Sequence, residues 1–126
     1  FGGDMNMAVV RLNANGALDA TFDSDGRRVV AFGPGIDAAT DVAVTSDGKI
    51  VLGGYAYSAA ANYDFAVARL LPGGALDASF SADGLATVQF GYNADDSEMA
   101  WAMALTRSAA RPWLRCANPH LALALA

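Results

Sequence analysis

Three groups of residues in this sequence have types and spacings that could do chemistry. Asp95, Asp96 and Glu98 crowd together, and two carboxylates about 5 to 10 Å apart can serve as acid and base, or acid and nucleophile, across a glycosidic bond. Asp23-Ser24-Asp25-Gly26 has the opening of a calcium loop of the form D-x-[DN]-x-[DN]-G, in which alternating oxygens converge on one hard cation. Tyr55, Tyr57, Tyr63, Tyr92 and Asn93 gather in two short stretches, and amphipathic rings beside an amide are types that recognise partners.

Each has a plainer reading. Neighbouring loop acids are usually solvated, so catalysis at Asp95 and Asp96 is the minor reading. The calcium pattern lacks a third ligand and a later Glu, and the second copy of the stretch carries Ser81 in place of Asp23. An Asx-type turn therefore explains Asp23 and Asp25 better than a metal does. His120 is the only histidine and Cys116 the only cysteine. No histidine metal cluster, Ser-His-Asp triad or Cys-His pair can be assembled within the chain, and no intrachain disulfide can form. The Gly-rich "FGPG" and "LPGG" lack the strand, loop and helix context of a phosphate cradle. No cofactor is expected.

Bulk composition narrows the partners. The chain has 126 residues, 54% of them hydrophobic and 17% charged, with a net charge of −5. That composition folds, and its field repels phosphate backbones and anionic lipid. Nucleic acid is disfavoured as a partner, and so is membrane insertion, because the longest apolar runs fall well short of the roughly 20 residues a bilayer needs. The start at Phe1, Gly2 and Gly3 lacks a basic n-region and an apolar h-region, so the sequence reads as a piece of a longer protein or a processed one.

What must position these residues is a repeat. Shifted by 58 positions, "MAVVRLNANGALDATFDSDGRRVVAFG" (7–33) aligns with "FAVARLLPGGALDASFSADGLATVQFG" (65–91), with 15 of 27 positions identical. A period of this size in a strand-rich sequence marks units that cannot bury their own faces and must stack on neighbours. Each unit reads as strands. "FAVARL" and "ATVQF" flank turn signals at "PGG" and "ADG", and "DVAVTSDGKIVLGGYA" (41–56) is a second hairpin around Asp47-Gly48. Two hairpins per period make four short antiparallel strands, which is the blade of a β-propeller. Arg11 and Arg69, with Asp19, Asp77, Asp25 and Asp83, recur in every unit and are expected to form ion pairs within a blade or to accept turn N–H groups. Leu18, Leu76, Phe22 and Phe80 are expected in the core between blades.

These spaced motifs, "DGKIVLGGY", "DFAVARL", "GALDASF" and "ADG" followed by "VQFG", resemble the delta-60 tandem repeats of bacterial proteins over positions 5 to 106. The resemblance implies an all-β fold of β-propeller-type repeats and a secreted or envelope-associated setting, outside the cytoplasm, and it carries no catalytic residues across. Residues 1–37 read as a partial repeat holding the last two strands of a blade, 38–91 as one complete blade, and 92–106 as the first strand of a further repeat. The tail, 107–126, departs from the pattern. It has Arg107, Arg111 and Arg115 but no acid, and Pro112 stands where a strand should run, as in a degenerate terminal repeat or a stretch read out of frame.

Propellers usually close with about 4 to 8 blades, so further blades in cis or self-association are expected. The reading is a non-enzymatic scaffold or interaction module with a protein or carbohydrate partner, recognised through Tyr55, Tyr57, Tyr63, Tyr92 and Asn93. The alternatives are a carbohydrate-active hydrolase or lyase using loop carboxylates, and a calcium-stabilised binding module.

Overall fold

Over residues 7–91, short runs of Val, Leu and Ala punctuated by Gly at the turns favour pleated pairing. In the computed structural model, which describes residues 3–58, 62–89 and 100–105 and the backbone of 122–125, every regular element is a strand. In chain order these are β1 (Met7–Val10), β2 (Arg27–Val30), β3 (Asp37–Val44), β4 (Ile50–Ser58), β5 (Asn62–Leu70), β6 (Leu85–Val88), β7 (Ala102–Leu105) and β8 (Ala122–Leu125). They form a β1–β2 sheet, a four-stranded β3–β4–β5–β6 sheet and a β7–β8 sheet. No helix among the described residues is long and apolar enough to cross a membrane.

The sequence repeat is also a repeat of register. Met7 pairs with Val30 and Phe65 with Val88, the same positions one period apart. Between the paired strands the two connections share one backbone path. Arg11 N donates to Gly26 O, Asp19 N to Arg11 O and Gly26 N to Phe22 O; Arg69, Asp77 and Gly84 make the equivalent three bonds. Both turns pass through two consecutive non-glycine residues with positive φ, Asp23 (47°) and Ser24 (67°), then Ser81 (51°) and Ala82 (70°). The glycines that follow take up the same left-handed region. The β3–β4 hairpin turns at Asp47-Gly48, with φ of 83° at Gly48.

The core belongs to both units at once. Met7, Phe22 and Val30 from the first pack with Ile50, Leu52, Ala56, Ala66, Ala68 and Leu70 from the second. The central strands are covered on both faces, which is why "VLGG" and "FAVA" are uninterrupted apolar or small runs rather than alternating ones. Small residues there let layers approach closely. A Cβ on Gly54 would stand 1.9 Å from the carbonyl oxygen of Ala38, where β3 bulges between Ala39 and Asp41. On the opposite face a Cβ on Gly53 would meet the sulfur of Met103 in β7 at 3.2 Å.

The β7–β8 pair departs from the antiparallel pattern. It runs parallel, with Ala102 opposite Ala122. Residues 106–121, including Pro112, Cys116 and His120, lie outside the described residues.

Candidate functional site

The recurring Arg and Asp do what their recurrence implies. Arg11 lies just after β1 and reaches across its turn: Nε donates to Asp19 Oδ2 at 2.7 Å and Nη2 to Thr21 Oγ1 at 2.9 Å. One period later Arg69 Nε donates to Asp77 Oδ2 at 2.8 Å and Nη2 to Ser79 Oγ at 3.1 Å. Each guanidinium also lies over a ring, Phe22 at 4.9 Å and Phe80 at 4.8 Å from the centroid. Such a stack adds a cation–π attraction to the ion pair. Asp77 is the more enclosed carboxylate and has a second cation, Lys49 Nζ at 3.2 Å.

These bonds hold the carboxyls ionised. The Ser79 hydroxyl, donating to Oδ1 at 2.6 Å, is the foremost cause that keeps the Asp77 pKa well below the usual carboxylate range, against the opposing effect of burial. The Thr21 hydroxyl does the same for Asp19, and the Thr45 hydroxyl for Asp47.

Asp25 accepts the N–H of Arg27 at 2.9 Å, and Asp83 that of Leu85 at 2.9 Å, so both are Asx-type turn residues. Asp23 Oδ1 faces Arg28 Nη1 at 3.3 Å. The carboxylates of Asp23 and Asp25 thus serve different strand residues, and no group of three metal-ligating side chains occurs among the described residues.

Of the five recognition candidates, three are brought together. Tyr63 packs edge-to-face against Tyr55 (centroids 5.2 Å apart) and Tyr57 (5.6 Å) at the free end of the β4–β5 hairpin. Cross-strand pairing explains the cluster, since Tyr57 stands opposite Tyr63 and Tyr55 opposite Phe65. Tyr57 is exposed, and its ring lies so near Gly35 (φ 127°) that a Cβ there would stand 2.8 Å away. Tyr92 and Asn93 lie outside the described residues, as do Asp95, Asp96 and Glu98.

Two buried acids were not singled out by the sequence. Asp37 and Asp64 flank Ala56 in one row of the sheet, and each keeps a buried Oδ1 without a hydrogen-bond partner among the described residues. A cleft of about 370 Å³ runs between β1 and β3, lined by Ala8, Val9, Val10, Ala39, Thr40, Asp41, Val42 and Leu52. Its only carboxylate, Asp41, accepts the N–H groups of Val42 and Met103, each at 2.8 Å. That leaves the cleft without a facing pair of acids.

The most specific polar geometry sits where the two units meet. Arg11 Nη1 donates to Pro72 O at 2.6 Å, and Asp23 N to Gly73 O at 2.8 Å. Gly74, with φ of 100°, comes so close to the first turn that a Cβ would stand 2.9 Å from Asp23 Cβ and 3.1 Å from Phe22 Cε2. The second unit's Leu-Pro-Gly-Gly turn thus caps the Arg–Phe stack of the first, and Phe22 is fully buried.

Residues 2–22 and 45–80 match the model of a family described as a domain of unknown function (DUF5122) beta-propeller. The all-strand fold fits that description. No curated protein and no solved structure matches the chain. The matched segments contain β1 with the first Arg–Asp turn, then the β4–β5 hairpin with the second. The β3–β6 sheet is a four-stranded antiparallel blade.

Blade geometry also corrects the expected inter-blade core. Phe22 is buried there, but Leu18 is exposed (36%) while Leu76 packs against the core. Within the second blade β4 lies beside β5 and contributes Ile50 to that core; β1 has no such neighbour on its other edge among the described residues. Phe80 is only half-buried.

Proposed function

We propose that the chain is a non-enzymatic β-propeller segment of the delta-60 type, acting as a scaffold or interaction module within a secreted or envelope-borne bacterial polypeptide. The supporting observation is the Tyr55–Tyr63–Tyr57 cluster, which presents an exposed ring on paired strands β4 and β5. Rings held by their neighbours lose little entropy on contact and combine an apolar face with a hydroxyl. Facing acids are missing from the described cleft, whose one carboxylate is engaged by main-chain N–H groups. Its partner is a protein or carbohydrate surface able to cover the Tyr57 ring.

The test is an NMR titration of the tyrosine ring signals with soluble oligosaccharides and peptides, alongside an assay for new reducing ends. Ligand-dependent shifts at Tyr57 and Tyr63, lost in Tyr57→Ala and unaccompanied by cleavage, support the reading. Release of cleavage products that persists in Tyr57→Ala would overturn it in favour of an enzyme.

A further inference from the structure

The junction between the two units is written twice in this chain but, among the described residues, filled only once. In the filled copy, three features of the first turn receive the second unit's turn: Arg11 Nη1 takes Pro72 O, Asp23 N takes Gly73 O, and the Phe22 ring lies against Gly74. In the other copy the same features are formed. Arg69 is held by Asp77 and Ser79 over the Phe80 ring, and Ser81 keeps the left-handed conformation of Asp23. Yet among the described residues Arg69 Nη1 and Ser81 N have no hydrogen-bond partner, and Phe80 is half-buried where Phe22 is sealed.

The matching plug is also present and uncovered. Ala14-Asn15-Gly16 stands one period before Pro72-Gly73-Gly74. Gly16 closes its turn onto Asn13 O as Gly74 closes onto Leu71 O, and both glycines have positive φ, 85° and 100°. Nothing lies within 4 Å of a Cβ built on Gly16. The seat reads main-chain carbonyls and a missing side chain, not turn identity, so Ala14 and Asn15 satisfy it as Pro72 and Gly73 do. Arg69 adds charge complementarity, because a guanidinium N–H facing a carbonyl oxygen makes a charge-assisted bond.

We infer that a second copy of this chain docks its Ala14–Gly16 turn into the seat formed by Arg69, Phe80 and Ser81, repeating the internal junction between molecules. Arg69 Nη1 then takes Ala14 O, Ser81 N takes Asn15 O, and Gly16 covers the Phe80 ring. The contact is head-to-tail, since plug and seat are different surfaces, so each docked copy presents a fresh seat. This inference rests on the reading of the chain as a propeller interaction module.

The test exploits that asymmetry. Ser81→Trp lays an indole over Phe80 and blocks the seat. Gly16→Asn adds a Cβ to the plug with a residue that tolerates the left-handed region. Mass is measured by light scattering up to about 1 mM chain. The native chain is expected to rise above 12.9 kDa with concentration. Each variant alone should stay at 12.9 kDa, and an equimolar mixture should reach twice that mass and stop, because one sound plug then meets one sound seat.

Recovery in the mixture also shows that both variants fold. A native chain that stays monomeric, or a mixture that stays monomeric, would overturn the inference. Association unaltered by either substitution would overturn the seat while leaving the module reading standing. Tyr57→Ala, which tests that reading, should leave the masses unchanged.

Discussion

Arg11 and Pro72 are 61 residues apart in sequence, yet the Arg11 guanidinium donates to the Pro72 carbonyl oxygen at 2.6 Å. The same guanidinium holds Asp19 and Thr21 of its own turn and covers the Phe22 ring. A planar fork with several donors can satisfy an acid, a hydroxyl and a carbonyl at once, which a single ammonium group cannot do in fixed geometry. The residue that rigidifies a turn therefore also registers one unit on the next.

The closeness of that junction makes Gly74 sensitive and its neighbour tolerant. Gly74→Ala is expected to cost more than about 1 kcal/mol, because the new methyl meets Asp23 and Phe22 at a φ disfavoured for L-residues. At Gly73 a Cβ meets nothing within 4 Å, so Gly73→Ala should change stability by less than about 0.5 kcal/mol. Urea unfolding of the two variants measures the contrast.

Phe22 and Phe80 occupy equivalent positions but unequal surroundings. Phe22→Ala removes a fully buried ring and should cost about 3 to 5 kcal/mol. Phe80→Ala should cost less in the isolated chain, since its ring keeps partial contact with water. Equal losses in denaturant unfolding of dilute samples would contradict the inequality of the two seats.

In the blade centre, Gly54 and Gly53 are adjacent and should respond differently. A methyl on Gly54 would stand 1.9 Å from a main-chain oxygen, which can only be relieved by separating β3 from β4. Gly54→Ala is expected to cost about 3 kcal/mol or more. A methyl on Gly53 meets the thioether of Met103, a flexible side chain that can yield. Soluble yield and melting temperature should fall sharply for the first and modestly for the second.

Acid should weaken the fold through Asp77 and Asp19. Their native pKa values lie below the ordinary aspartate value of about 3.9, so between those limits the unfolded chain binds more protons than the native one. Their contribution is complete above about pH 4 and is lost as pH falls towards the lowered native values. Ser79→Ala removes the foremost cause at Asp77 and should raise its carboxyl titration, followed by NMR. The stability gap between native chain and variant should be widest near neutral pH and shrink in acid.

Much of the blade was legible because the repeat supplied its own control. Arg69 with Asp77, and Asp83 in its Asx-type turn, could be read from their earlier counterparts at the same offset, since side-chain types carry those roles. The tyrosines were legible as recognition types, but their contact was not, since it comes from the pairing of Tyr57 with Tyr63 across β4 and β5. The junction was not. Its acceptors are the carbonyl oxygens of Pro72 and Gly73, which every residue has, so only the glycine at Gly74 left a mark in the sequence. Leu18 was misplaced because its repeat position matches Leu76 while its neighbouring strand does not exist among the described residues.

The junction asks almost nothing of the side chains it receives, and this bears on how such a gene can change length. "NANG" and "LPGG" share only their last residue, and the internal seat contacts two carbonyl oxygens and that glycine. A recombination event that inserts or removes one whole period therefore leaves this turn contact matched, with no compensating substitution required in the turn itself. At this contact, then, a change of copy number demands no new side chain.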